Sequence, residues 1–277
     1  MHMADALLTP AVAGVMYAAS AVVAGASIVE LHKEEKQDLT SAAKKLPTMA
    51  VMSALVFAGQ MINYTIPGTG SSGHLCGGLL LTSVLGPWAG FLSMIVILAI
   101  QCLFFADGGL LALGANVWNM AFYGCFVGYF LIYRPLMRSR CFARRGERAA
   151  NRLKITLASV LGCVLTLQLG AFSVVLETTL SGITDLPFGA FCAIMQPIHL
   201  AIGLIEGLIT AAVLLFLYEA RPELLRDVRM SGETTGKVSF KGTIAVIAIA
   251  GAAIVSAAAA LICGVGGICR HKKNHSQ

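Results

Sequence analysis

Apolar residues run through this chain in long blocks separated by short polar connections. A helix needs about 20 consecutive apolar residues to cross a bilayer. The blocks predict spans at 7–31, 47–63, 88–106, 113–134, 155–180, 189–218 and 242–266, with a shorter apolar stretch at 77–86. The expected fold class is all-α: a polytopic helical membrane protein of about seven or eight transmembrane helices. Gly86-Pro87-Trp88 divides the third hydrophobic region, because proline ends one helix and suits the first turn of the next. The limb before it, Gly77 to Leu85, is about 14 Å long, too short to cross alone. The preceding segment, Ile66 to Cys76, is therefore expected to dip into the membrane as a re-entrant-like binding loop between the second and third helices. Irregular backbone survives at that depth where protein buries it or where it lines a cavity.

Composition agrees with this reading and charge orients it. The chain is 57% hydrophobic and 12% charged, against roughly 25% charge in a soluble domain. The net charge of +6 comes from connections such as His32 to Lys45, Arg134 to Lys154 and Arg221 to Lys241. Loops rich in Lys and Arg face the cytoplasm, so the excess is a topological feature rather than a nucleic-acid footprint. With the first connection inside, the N-terminus is expected outside, together with the 66–76 loop. No Lys or Arg precedes Lys33 and no cleavage site follows a short apolar region, so no secretory signal is expected and Met1 is expected to be kept. The last span would carry Arg270, Lys272 and Lys273 to the outside, against the positive-inside tendency.

Candidate chemistry sits at the chain start. A free Met1 amine, the His2 amide nitrogen and the His2 imidazole can close two fused chelate rings around one divalent ion. Three nitrogens in a plane suit Ni(II) and Cu(II). The loop Gly68-Thr69-Gly70-Ser71-Ser72-Gly73-His74 lies on the same side of the membrane, and His74 is a candidate for the fourth nitrogen. A hydrogen-bonded loop histidine is the alternative. His32, His271 and His275 sit among charged residues, whereas His199 lies within an apolar helix. Cys76 is a soft alternative ligand, and the other cysteines read as small apolar residues. Asp107, Asn116, Asn119, Glu177, Gln196, His199 and Glu206 are costly in lipid and should face the bundle or a cavity. Asn116 and Asn119 are candidates for orienting His74 through hydrogen bonds. Gly232-Glu233-Thr234-Thr235-Gly236-Lys237-Val238 has three residues between its glycines and valine after the lysine, so it is not a phosphate loop.

Several motifs recur in the order of a known family. Met1-His2, the Gly-Ser-Ser-Gly-His loop ending at His74, Phe105-Ala106-Asp107-Gly108-Gly109-Leu110 with Leu113-Gly114-Ala115-Asn116, and Gln196-Pro197-Ile198-His199 with Gly203 and Glu206-Gly207 together resemble the CbiM/NikM family. These are the nickel/cobalt-specific substrate-binding (S) components of energy-coupling factor (ECF) transporters. The resemblance covers roughly residues 1–220, which it marks as a metal-binding membrane domain. A cytoplasmic connecting loop follows at 221–241, then an extra C-terminal helix and tail at 242–277.

The resemblance implies a multi-pass protein of a bacterial or archaeal cell membrane. It would capture nickel, with cobalt as the second candidate, through Met1, His2 and His74, with no bound organic cofactor and no enzymatic activity of its own. It further implies a membrane scaffold (T) subunit and two separate ATPase subunits, and a small accessory membrane subunit for which the 242–266 helix is a candidate stand-in. Ala50, Ala54 and Ala58 resemble the alanine stripe that meets the scaffold, although Ala11, Gly14, Ala18, Ala21 and Gly25 form a similar one. The family opening Met-His-Ile-Pro-Asp-Gly is here Met1-His2-Met3-Ala4-Asp5-Ala6, which allows a more flexible approach by the N-terminus. A stand-alone divalent-metal permease and an intramembrane metalloenzyme are the competing classes. No inverted repeat supports the first, and four protein nitrogens would leave the second no open in-plane position.

Overall fold

A computed structural model describes residues 1–37, 39–139, 146–225 and 227. The chain is mostly helical, and five of its described helices are long and apolar enough to cross a membrane. In chain order the elements are α1 (Pro10–Gln37), α2 (Leu39–Gln60), β1 (Asn63–Ile66), β2 (Ser71–His74), α3 (Gly78–Leu85) and α4 (Pro87–Phe105). They continue with α5 (Leu113–Arg138), α6 (Glu147–Ser181) and α7 (Phe188–Ala220). The five are α1 and α4 to α7. The helix expected at 242–266, the tail and the 232–238 segment lie outside the described residues.

The break at Pro87 falls where the sequence puts it. Gly86 takes a positive φ of 88°, Pro87 opens α4, and all of α3 is buried. The segment expected to be irregular is instead a short antiparallel hairpin, with Asn63 opposite His74 and Ile66 opposite Ser71. Gly68 and Gly70, at φ 75° and 64°, turn the chain between strands at a cost that residues with a Cβ would meet. Two strands alone are marginal. A third piece of chain joins them, because Met3 bridges to Ser71 and Ser72 N–H donates to His2 O at 3.2 Å. Pairing satisfies backbone groups that a buried irregular loop would leave open.

Small residues let the helices around this hairpin close. A Cβ on Gly203 or Gly207 would fall 2.9 or 2.6 Å from Val164 or Val160 Cα, so α7 lies directly on the α6 backbone. Gly78 and Gly124 do the same for α3 and α5. Close backbone approach of this kind drives helix association in lipid. It also leaves one face of α7 against β2, where Ile202 reaches Gly73.

Candidate metal-capture site

Met1, His2 and His74 come together at the hairpin. The Met1 amine donates to Ser72 O, and the His2 and His74 rings lie 4.5 Å apart between centroids. His2 is 3% exposed and His74 2%, so the pocket is closed. Among the described residues no three His, Cys, Asp or Glu side chains cluster as a metal would need.

The electronic state of these groups follows from burial. His74 Nδ1 lies 2.7 Å from Leu75 O. A carbonyl only accepts, so Nδ1 carries the proton and Nε2 keeps its lone pair. That Nε2 is buried without a partner. Burial lowers the Met1 amine from 8.0 to about 6, against the pull of Cys76, Asp107 and Glu206. Burial likewise lowers His2, although Asp107 opposes it, and holds His74 well below the ordinary imidazole value. At neutral pH all three present lone pairs rather than positive charge. Burial drives the Cys76 thiol well above its ordinary value, with Glu206 adding to the effect.

His2 Nδ1 stands 3.0 Å from Asp107 Oδ1, off the line of a good hydrogen bond. Asp107 also accepts from Asn63 Nδ2 at 2.7 Å. Burial alone would raise this carboxyl, but the contacts with His2 and Asn63 prevail and hold it below its ordinary value. One carboxylate therefore joins the N-terminus to the first strand of the hairpin.

The N-terminal segment is held rather than loose. Met3 N–H donates to Asn116 Oδ1 at 2.8 Å and Asn116 Nδ2 donates back to Met3 O at 3.2 Å. Gly109 N–H donates to the same Met3 carbonyl at 2.9 Å. Asp5 Oδ1 accepts the Ala112 N–H at 3.1 Å. A Cβ on Gly109 would overlap Asp5 Oδ1, which explains a glycine there. The Met1 side chain is fully buried, and a Cβ on Gly170 would fall 2.6 Å from its sulfur.

The asparagines thus serve the N-terminus rather than His74. Asn119 donates to Glu177 Oε2 at 2.8 Å and lies beside Met3 Sδ. His199 Nδ1 turns to Met195 O at 2.8 Å, and Nε2 is buried without a partner. Sequence reasoning assigned no role to Ser72, Gly109 or Gly170. The dense glycines in 105–114 were the available sign of a close backbone approach, whereas nothing local marks Gly170.

Residues 2–224 match the family described as the cobalt uptake substrate-specific transmembrane region. A protein of Archaeoglobus fulgidus named as a fused nickel transport protein, NikMN, is 39% identical over 234 residues, 84% of this chain and 70% of that one. A cobalt transport protein, CbiM, of Sorangium cellulosum is 33% identical over 181 residues, 65% of this chain and 76% of that one. The crystal structure of a truncated transition metal transporter superposes with a TM-score of 0.65 at 32% identity, covering 79% of this chain and 99% of that one.

Proposed function

The chain belongs to the family of cobalt-uptake substrate-specific transmembrane regions, a membrane protein family of nickel and cobalt transport, and from that premise we propose that it is the substrate-capture subunit of an ATP-driven importer of the ECF type. Its cargo is Ni(II) first and Co(II) second. The ion is held in a square plane by the Met1 amine, the His2 amide and imidazole nitrogens, and His74 Nε2. The observation that carries this reading is the meeting of the Met1 amine, His2 and an unpartnered His74 Nε2 in one closed pocket.

The chemistry is explicit at each atom. The second chelate ring runs through His2 N, Cα, Cβ, Cγ and Nδ1, so Nδ1 is the imidazole donor. Loading exchanges Asp107 for the ion at that nitrogen. The amide gives up its proton, as ligand nitrogens must. The amine keeps hydrogens with which to donate to Ser72 O. Release then requires the N-terminal segment and the hairpin to part.

The remaining assignments complete the assembly. The chain makes seven or eight crossings, with its N-terminus outside and the hairpin folded inward. A scaffold subunit docks on the small-residue faces of α2 and α1, where Ala50, Ala54 and Ala58, and also Ala11, Gly14, Ala18, Ala21 and Gly25, are exposed. Two separate ATPase subunits supply the energy, and a small accessory subunit or the 242–266 helix assists. In vesicles holding the chain with its scaffold and ATPases, ⁶³Ni uptake is expected to need ATP and to survive collapse of the proton gradient. Uptake by the chain alone, abolished by that collapse, would establish a secondary permease instead.

A further inference from the structure

Glu206 lies near the middle of α7 and is 3% exposed. A carboxylate in a helix that crosses lipid is costly unless its oxygens are satisfied. Here both are spent on main chain of the hairpin's exit. Oε2 accepts the Cys76 N–H at 2.6 Å and Oε1 accepts the Gly77 N–H at 2.9 Å. No Lys or Arg pairs with it among the described residues.

The Cys76 N–H belongs to the same peptide unit as the Leu75 carbonyl, and that carbonyl accepts the proton of His74 Nδ1 at 2.7 Å. A continuous path therefore runs from the Glu206 carboxylate through one peptide plane to the imidazole. Hydrogen bonds in series polarise one another, so the carboxylate makes Leu75 O a better acceptor. A stronger bond at Nδ1 fixes the tautomer that leaves the lone pair on Nε2 and makes that nitrogen more basic. Ligand histidines commonly have a carboxylate or carbonyl in this position. Here the two act in sequence, the carboxylate through the carbonyl.

We propose that Glu206 is the positioning residue for His74: through the Leu75–Cys76 peptide it sets the tautomer, orientation and donor strength of the imidazole, and so couples α7 to the grip on the ion. The proposal rests on His74 being a ligand. It follows that a displacement of α7 relative to the hairpin loosens His74 without touching the ion.

The test is a double-mutant cycle on the full chain in detergent, with Cu(II) as the probe. Nitrogen sites hold Cu(II) more tightly than Ni(II), so the three N-terminal nitrogens keep a measurable affinity in His74→Ala. Glu206→Ala is expected to weaken Cu(II) binding about 10- to 100-fold. Glu206→Gln keeps the shape and one acceptor but turns its NH2 on the second N–H, and is expected to fall between. Both substitutions should be silent in the His74→Ala background. The imidazole ¹⁵N spectrum of the metal-free protein should show Nδ1–H at His74 in the native chain and a tautomer mixture in Glu206→Gln. Equal losses from Glu206→Ala with and without His74, or an unchanged ¹⁵N spectrum in Glu206→Gln, would overturn the proposal and leave Glu206 a general packing element. Native Cu(II) affinity in His74→Ala would remove the premise instead, and that arm reads independently of Glu206.

Discussion

The N-terminal segment and the hairpin both deliver nitrogen to one pocket, yet they are held by different means. The segment is fixed from outside, by Asn116, the Gly109 N–H and the Ala112 N–H of a single connection. The hairpin is fixed first by its own ladder and then at its exit, by Glu206 and by Gln60 Nε2 donating to Cys76 O. Position is what the first arrangement controls; direction of one lone pair is what the second controls. The two meet along Ser71–Ser72 and at Asp107. A pocket assembled from separately anchored sides can hold an ion with strong donors and still open without unfolding either side.

The comparison breaks most severely when a donor itself is removed. His2→Ala deletes one chelate ring and should abolish Ni(II) capture at micromolar ion, read by equilibrium dialysis, while leaving the hairpin intact. Asn116→Ala should come next. It leaves the Met3 N–H without its buried partner, at about 1–3 kcal/mol for an orphaned group, while the carbonyl keeps the Gly109 N–H. Loss of such support typically weakens a metal site about 10- to 100-fold. If the N-terminus were anchored by its ends alone, calorimetry on Asn116→Ala would give the native affinity.

A smaller effect sharpens the same contrast through pH. The Met1 amine is held at about 6 by burial, so above that pH it has no proton to lose on binding. Below it, both the amine and the His2 amide must release one. Proton release per ion should therefore lose the amine's contribution, about one proton, as pH rises through about 6. Calorimetry in buffers of different ionisation enthalpy measures this count. An amine exposed to water would show the same step near 8.0.

Much of this was legible in the residues, and the reasons differ by element. The Pro87 break could be read because proline constrains chain locally. The long spans from 88 onward could be read because lipid demands continuous apolar runs. The hairpin could not: Gly70-Ser71-Ser72-Gly73 has weak strand propensity, and the bridge that Met3 adds at Ser71 comes from nearly 70 positions away. Asn116 was legible as a costly polar residue but not in its partner, since the sequence does not say which segment an amide will meet. Glu206 was legible in the same limited way. Its two acceptors lie on main-chain N–H groups about 130 positions earlier, and backbone donors carry no residue signature. The looseness allowed by Met3-Ala4 in place of the usual opening is offset by three bonds to Met3 and by Asp5, which the opening retains.

The most direct test of the central claim is the metal content and absorption of the chain purified with a free Met1 amine, verified by intact mass, beside a form with one residue added before Met1. About one Ni(II) per chain, with the absorption of a square-planar diamagnetic ion, is expected for the first and none for the second, because the added residue moves the amine out of the chelate. Equal nickel in both, with the same spectrum, would contradict a site built on the chain terminus.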